Sequence, residues 1–463
     1  MNRIIKFGGS VLTDADSLYK AATIVQAYPG NRVVVCSALK GVTSTLCQAV
    51  SSHDWDPIRI RDILISEKEK HLDLLHSLVP PDRNSPTESE ITRLVEEALT
   101  KLLMFSPPFP PEETAFVPLL GERLSSLLLH SVLKAQGSDA VILLPEEIPL
   151  VTDGKSAYPR IDLLRSGSLL STPSGETSVA LVPGFYALHP SGGIRLLGRG
   201  GSDYTAAALG FLFDAESVDL WKDVAGFFSG DPRELPGALL KSHLNYEEAA
   251  ELSYYGAHIL HPETIPPLRA KKIPLRLFSF KDCSTPESRH TLIDQAGDPG
   301  GDIITGIAST DNIGIITVGG SDVGNEPGIL ARLTGELTCS GINIKSVLTS
   351  QTSINILVEA GDLDMAHRIL GEEGSSGRAV IYSDRFSLVS LVGNGINSAP
   401  GIAARAFNAL AEKKIPVHMI CAGASPVSAY FIVERPLCRD AVRTVHDAFF
   451  NTREVIYETP AVH

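Results

Sequence analysis

A chain of 463 residues, 43% hydrophobic and 20% charged, is long enough for two or three domains and has the composition of a globular enzyme. Its 54 Asp and Glu outnumber 40 Lys and Arg, and the formal net charge of −14 argues against sequence-independent binding to nucleic acid. The six cysteines show no Cys-x-x-Cys spacing and several sit in apolar runs, so they read as buried thiols of a reducing compartment; without a signal-like apolar N-terminus or a run of membrane-span length, the expected location is cytoplasmic, with no membrane partner.

Taken in chain order, the first ten residues run a short apolar strand into Lys6, Gly8, Gly9 and Ser10. Glycines leave backbone N–H groups bare and Lys6 adds a fixed positive charge, which is equipment for holding a phosphate. Arg32–Ser37, Ser178–Val182 and Ala215–Trp221 read as buried strands, and the alternation of such runs with helical periodicity predicts an α/β domain with a mainly parallel sheet. Residues 58–104 carry charged amphipathic helices broken at Pro80-Pro81, and a further helix is led by Leu119-Leu-Gly-Glu-Arg-Leu124. A second glycine-rich turn, Leu197-Gly-Arg-Gly-Gly-Ser-Asp203, opens a helix over Thr205–Leu212 and sets Arg199 and Asp203 beside a helix N-terminus that favours anions. Two such turns imply two anionic groups to be handled.

The Asp282–Asp302 stretch, rich in Asp, Gly, Ser, Thr and Pro, is the expected domain boundary. Beyond it the chain repeats itself. Ile313–Ser321, Pro327-Gly-Ile-Leu-Ala-Arg-Leu333, Gly341–Lys345 and Ser353–Glu359 match, in order and spacing, Phe386–Asn394, Pro400-Gly-Ile-Ala-Ala-Arg-Ala406, Lys414–His418 and Ser428–Glu434. This is a duplicated strand-helix-strand-strand module, ferredoxin-like in pattern, of a kind that pairs and binds small ligands. Two other motifs are discarded. Asp153-Gly-Lys-Ser156 resembles the end of a Walker A loop but has Pro149 where that motif needs Gly, and Gly393-Asn-Gly395 carries Ser398 at the third glycine position of a dinucleotide fingerprint.

Lys6-Phe-Gly-Gly-Ser10, Gly198-Arg-Gly-Gly-Ser-Asp-Tyr-Thr-Ala206, Trp221-Lys-Asp-Val224, Gly230-Asp-Pro-Arg233, Glu247-Glu-Ala-Ala-Glu-Leu252 and Tyr255-Gly-Ala-His-Ile-Leu-His-Pro262 together resemble the monofunctional aspartate kinases of the amino-acid kinase superfamily, and the repeat resembles their two ACT regulatory modules. The resemblance implies a three-layer amino-acid kinase fold with a mainly parallel central sheet over residues 1–290, then ACT modules at 303–384 and 385–463, the leading strand of the first being open to assignment to the second. It implies ATP-dependent phosphorylation of the L-aspartate β-carboxylate, an amino-acid effector, and a homodimer or higher homo-oligomer through the ACT modules. Lys6, Gly8, Gly9 and Asp203 would serve catalysis. Glu122 would hold the substrate ammonium, Arg199 its carboxylate, and Thr43 and Ser202 would add hydroxyl contacts. Lys6, Lys222, Asp223, Phe228, Arg233, His258 and Ile259 would meet ATP, with Mg2+ bridging phosphates and no protein metal cluster.

Three positions depart from the family pattern. His258 stands in place of a usual Lys, Lys222 in place of a small hydroxyl residue, and Phe228 in place of Tyr. Lys222 would restore the positive charge lost at position 258. Glu122 also has a purely structural reading, since a carboxylate in a first helical turn is stabilised by the dipole, and Arg233 has one as a solvated turn residue. The alternatives are an amino-acid kinase acting on another acid and a catalytically impaired amino-acid sensor. Lysine-inhibited relatives place an acidic residue where this chain has Lys345, so the expected effector at the first module is threonine or none, not lysine.

Overall fold

The computed structural model describes residues 2–51, 56–104, 111–155, 159–169, 179–198, 200–257, 259–298, 302–320, 323–371 and 378–451. They gather into two compact units: Met1–Phe227, Ser242–Tyr246 and Ile259–Asp298 form the first, and Phe228–Lys241, Glu247–His258 and Pro299–His463 the second.

The strands of the first unit are β1 (Asn2–Phe7), β2 (Asn31–Cys36), β3 (Ala140–Ile142), β4 (Val179–Pro183), β5 (Tyr186–Leu188), β6 (Ile194–Leu196), β7 (Ser217–Lys222), β8 (His243–Asn245), β9 (Leu275–Ser279) and β10 (His290–Asp294). Its helices are α1 (Ala15–Ala27), α2 (Val42–Ser51), α3 (Pro57–Leu78), α4 (Pro81–Leu103), α5 (Pro111–Thr114), α6 (Leu120–Ala135), α7 (Leu163–Leu169) and α8 (Gly201–Leu212); α9 (Tyr246–Leu252) carries the chain between units, and α10 (Ile265–Lys271) returns to the first. Eight strands form one sheet in the order β3-β4-β2-β1-β7-β9-β10-β8, parallel from β3 to β9, with β10 antiparallel to β9. The period of two along β1 sends Ile5 and Phe7 into the core shared with α1, α3, α4 and α6, and turns Ile4 to the opposite face, where it lies by Gly210 of α8. Lys6 shares that parity with Ile4, which is how a lysine in a central strand comes to meet α8. Helices thus cover both faces of the sheet, as its fully buried, Val/Ile-rich parallel strands require.

The second unit holds β11 (Gly306–Thr310), β12 (Gly314–Gly319), β13 (Ser346–Thr349), β14 (Ser353–Val358), β15 (Ala379–Ser383), β16 (Phe386–Val392), β17 (Met419–Ala422) and β18 (Ser428–Glu434), with α11 (Ile329–Cys339), α12 (Leu363–Ile369), α13 (Ile402–Glu412) and α14 (Cys438–Phe450). Two antiparallel four-stranded sheets result, β13-β14-β12-β15 and β11-β16-β18-β17. The repeat is therefore visible as β12-α11-β13-β14 against β16-α13-β17-β18. The leading strand β11 pairs with β16, from Gly306 opposite Val392 to Thr310 opposite Leu388, and so completes the later sheet.

Three expectations need correction. The polar 282–302 stretch is not all linker, because His290–Asp294 is a sheet strand whose Thr291 and Ile293 are buried in the first unit. Within the first 290 residues, Leu235 packs with Ile304, Ile307 and Val445, and Ser229 Oγ lies 2.9 Å from His446 Nε2, so Phe228–Lys241 gathers with the core of the second unit. The second strand of each repeat starts just past the matched segment, at Ser346 and Met419. Of the cysteines, all unpaired, Cys36, Cys283 and Cys438 are buried but Cys339 is exposed on the solvent face of α11. No helix among the described residues is long and apolar enough to cross a membrane.

Candidate active site

In parallel sheets ligands bind beyond the carboxyl ends of the strands, and Lys6, Gly8, Gly9, Lys222 and Asp223 lie at the ends of β1 and β7. Beyond β1, the turn Gly8–Val11 is closed by the Val11 N–H on the Gly8 carbonyl at 3.1 Å. Gly9 is forced by close approach: a Cβ there would sit 2.8 Å from the Ala38 carbonyl oxygen. The expectation of bare amides does not hold for Gly8, whose N–H donates to the Trp221 carbonyl at 3.3 Å, because β1 and β7 continue their ladder by one residue. Among the described residues, the N–H groups of Gly9 and Ser10 have no such acceptor.

Lys6 is 5% exposed, and its Nζ lies 2.5 Å from Asp203 Oδ1. Lys222, at the end of the neighbouring β7, places its Nζ 2.6 Å from Asp203 Oδ2 and also donates to the Ile259 carbonyl. Asp203 sits in the first turn of α8, which starts at Gly201 behind Gly200; φ 81° at Gly200 is open to glycine at no cost and lets the chain turn abruptly into the helix. Burial alone would raise the Asp203 carboxyl, but the ammoniums of Lys222 and Lys6 prevail and hold it down at about 2. Burial pulls the Lys6 ammonium below its ordinary value, against the opposing pull of Asp203. Two ammoniums share one carboxylate, so the cluster carries a net positive charge in a buried place.

Glu122, in the first turn of α6, is 2% exposed. Its Oε1 accepts from the Thr43 hydroxyl at 3.2 Å, the N–H groups of Ala38 and of its own residue face the carboxylate, and Oε2 is buried with no hydrogen-bond partner among the described residues. Burial pushes its carboxyl up to about 8, and the donors around it, with Lys6 the nearest positive charge, only partly offset this. Ser202 is buried one residue before Asp203 and packs against Gly184. Asp223 is exposed and accepts from the Ser10 hydroxyl at 3.0 Å.

The structure thus brings together Lys6, Asp203, Lys222 and Ile259 in one group, Thr43 and Glu122 in a second, and Ser10 with Asp223 in a third, all in the first unit. Phe228 and Arg233 belong to the second unit. Phe228 is half-buried, and Arg233 is an exposed side chain folded on Asp231, with Nη2 2.6 Å from Oδ2. Arg199 and His258 lie outside the described residues. Sequence reasoning missed the Ala38 amide and the Gly184-Phe185 turn; both follow a parallel strand, β2 and β4, and that position is the signal that would have found them.

Among the described residues no group of three or more His, Cys, Asp or Glu side chains is arranged to hold a metal ion. What the site offers an anion is the Lys6 and Lys222 ammoniums and two bare amides; what it offers a cation is the unpartnered Glu122 oxygen. Such a pairing suits a substrate with both an ammonium and an acidic group, next to a phosphate.

The amino acid kinase family model matches residues 1–279, and ACT domain models match residues 308–372 and 389–449. The chain belongs to the amino acid kinase family and carries two C-terminal ACT domains. It is 28% identical to the bifunctional aspartokinase/homoserine dehydrogenase of Haemophilus influenzae, over 98% of this chain and 57% of that one, so it spans little more than half the length of that relative. Aspartokinase 2, chloroplastic, of Arabidopsis thaliana is also 28% identical, over 97% of this chain and 84% of its own. Among solved structures, E. coli aspartokinase III is 27% identical and matches 97% of the chain in both of two states: its complex with aspartate and ADP (R-state) gives a TM-score of 0.86 over 100% of that chain, and its complex with lysine and aspartate (T-state) gives 0.76 over 99%.

Proposed function

We propose that this chain transfers the γ-phosphoryl group of ATP to the β-carboxylate of L-aspartate, giving 4-phospho-L-aspartate. The observation that carries the reading is the buried, unpartnered Glu122 oxygen beside a buried cluster of net positive charge. A phosphate or carbamate acceptor has no ammonium to meet that oxygen; an amino acid does. The aspartate and ADP bound to the E. coli relative support both substrates.

A carboxylate is already ionised at neutral pH, so the nucleophile needs no general base, and the task reduces to aligning two anions and offsetting their repulsion. Glu122 and Thr43 hold the substrate ammonium, with Ser202 and Arg199 on its acidic groups. Lys6 faces the phosphoryl group that moves, with the Gly9 and Ser10 amides beside it and Gly8 leaving space next to the ammonium. Asp203 holds the Lys6 and Lys222 side chains in place. On the first unit Lys222, Asp223 and Ile259 take the nucleotide; for Phe228 and Arg233 of the second unit, and for His258, the same role rests on the family resemblance alone. Magnesium, which would bind through the nucleotide's phosphates, would further neutralise their charge.

The ACT domains support regulation by an amino acid, as lysine bound to the E. coli relative does for that enzyme. A cavity of about 400 Å³ in the second unit is lined by Val323, Glu326, Ile329, Thr349, Ser350 and Gln351 among others. Glu326 is already paired with Arg378 at 2.5 Å, and Lys345 lies outside the lining, bound to Glu359 at 3.2 Å. The walls therefore favour an effector with a neutral side chain, threonine before lysine. We also read the chain as a homo-oligomer through its ACT domains, working in a reducing, cytoplasmic setting that suits six unpaired cysteines.

The deciding assay is ATP turnover with aspartate, glutamate or neither, trapping any acyl phosphate with hydroxylamine. Acyl hydroxamate formed from aspartate alone is the expected result; none from either acid would overturn the reading. Initial rates against lysine, threonine and methionine, singly and in pairs, then test the effector.

A further inference from the structure

Glu122 has a neighbour whose side chain takes a different direction. The Arg123 guanidinium places Nη2 2.5 Å from Glu146 Oε1 and 3.2 Å from the Tyr186 hydroxyl, which in turn donates to Glu146 Oε2 at 3.0 Å. The guanidinium also lies over the Tyr186 ring, 5.6 Å from its centroid. Three side chains from three elements, α6, the segment after β3 and β5, close a ring of contacts.

Each end of that ring abuts the amino-acid side of the site. On one side is the first turn of α6, which contains Glu122 and to which Leu119, in the N-cap position, gives no side-chain cap. On the other side is Tyr186, fully buried, preceded by Phe185 at φ 76°, a conformation that non-glycine residues adopt only when their surroundings impose it. The residue before that, Gly184, faces Ser202 so closely that a Cβ there would come within 2.7 Å of the Ser202 Cβ. Glu122 and Ser202 are the two polar walls, and Arg123 ties together the segments carrying one wall and facing the other.

We propose that Arg123 is a positioning residue for the amino-acid substrate: through Glu146 and Tyr186 it fixes the distance between the Glu122 turn and the Phe185–Ser202 wall, and so sets the length of acid the site accepts. The inference rests on the reading that Glu122 receives the substrate ammonium. Arg123 itself does not touch substrate. Nη2 bridges the Glu146 carboxylate and the Tyr186 hydroxyl while the planar group lies over the Tyr186 ring, which fixes its orientation more than a single lysine contact would.

The test uses the purified full chain and hydroxylamine-trapped acyl phosphate, with aspartate, glutamate and ATP varied in turn. Arg123→Met, which keeps the stem and removes the guanidinium, should raise KM for aspartate about tenfold and narrow the aspartate-over-glutamate ratio of kcat/KM, with KM for ATP held within about twofold. Arg123→Lys should recover part of the loss. Tyr186→Phe, which deletes one hydroxyl and keeps the packing, should shift KM for aspartate the same way by about threefold, and it stands in if the arginine variant fails to fold. A lower melting temperature with KM and the acid ratio unchanged would mean a structural role alone and would overturn the proposal. Glu122→Gln separates the two readings. If it raises KM for aspartate while Arg123→Met and Tyr186→Phe do not, the clamp is wrong; if none of the three moves KM, the ammonium site itself is misplaced and the clamp falls with it.

Discussion

Asp203 and Glu122 are both carboxylates in the first turn of a helix, 3% and 2% exposed, and burial acts on both alike, yet one is held down at about 2 and the other pushed up to about 8. The difference lies in company. Asp203 has an ammonium on each oxygen, at 2.5 and 2.6 Å, whereas Glu122 has only neutral donors, the Thr43 hydroxyl and the N–H groups of Ala38 and of its own residue, and its Oε2 has no partner among the described residues. A carboxylate with its charge already matched is part of the framework. One left short of a partner is where a ligand ammonium would find its counter-charge.

The comparison breaks most completely at Lys6. Lys6→Ala should lower kcat on the order of a thousandfold, because it removes charge from where the transition state needs it, while Lys222 still pairs Asp203 and circular dichroism stays unchanged. Near-normal turnover would remove Lys6 from catalysis. Next comes Asp203→Asn, which leaves two buried ammoniums without a counter-charge; unfolding in urea should show a loss of about 3 kcal/mol, and equal stability of variant and parent would show that the cluster is dispensable.

Glu122→Gln should raise KM for aspartate about a hundredfold and leave the fold intact, since it deletes a charge that the empty site does not welcome. The pH dependence follows from the sign of the shift. A carboxyl whose folded value lies above its unfolded one holds its proton in the folded state while the unfolded state has lost it, so stability falls as pH rises from about 4.5 to about 8 and then levels. Binding an ammonium needs the ionised form, so aspartate affinity should rise through the same window, with one proton released per aspartate. Calorimetry in buffers of different ionisation enthalpy would detect the release, and a variant that still releases it would move the assignment elsewhere.

The smallest effect sharpens the comparison from outside the site. His71 on α3 is fully buried, its Nδ1 lies 2.6 Å from the Glu67 carbonyl, and its Nε2 has no partner among the described residues. Burial lowers its pKa to about 4, so the stability present above 6.5 is lost as pH falls toward 4. His71→Leu should remove that loss, a gain of up to about 2 kcal/mol at pH 5 with kinetics at pH 8 unchanged. An identical acid-unfolding curve would show that the ring is hydrated.

How far the sequence reached depends on whether a feature is local. The Lys6 strand, the turn into α8 and the repeated modules were legible because strand parity, helix starts and matched spacing lie in contiguous residues. Lys222 on Asp203, Thr43 on Glu122 and the Ala38 amide were not, because each joins segments that only the sheet order brings side by side. The Gly8 amide was misjudged for the same reason, since its acceptor sits on β7, more than two hundred residues away in the chain. Lys345 was read as facing an effector; in the fold it lies on Glu359 and over the ring of Tyr254. Burial of Leu235 in the second core likewise has no counterpart in the local pattern around Gly230-Asp-Pro-Arg233.

That last placement limits how this chain can be cut and recombined. Phe228 and Arg233, proposed for the nucleotide, stand on a segment whose apolar anchor is Leu235 and whose Ser229 is bonded to His446 near the end of α14. A kinase fragment ending at Asp298 would keep its sheet and its lysines but lose the surface on which that segment is folded. Grafting ACT modules from a relative would succeed only if the donor helix brought an equivalent of His446 and Val445. The two units are separate as packed bodies but not as inheritable parts.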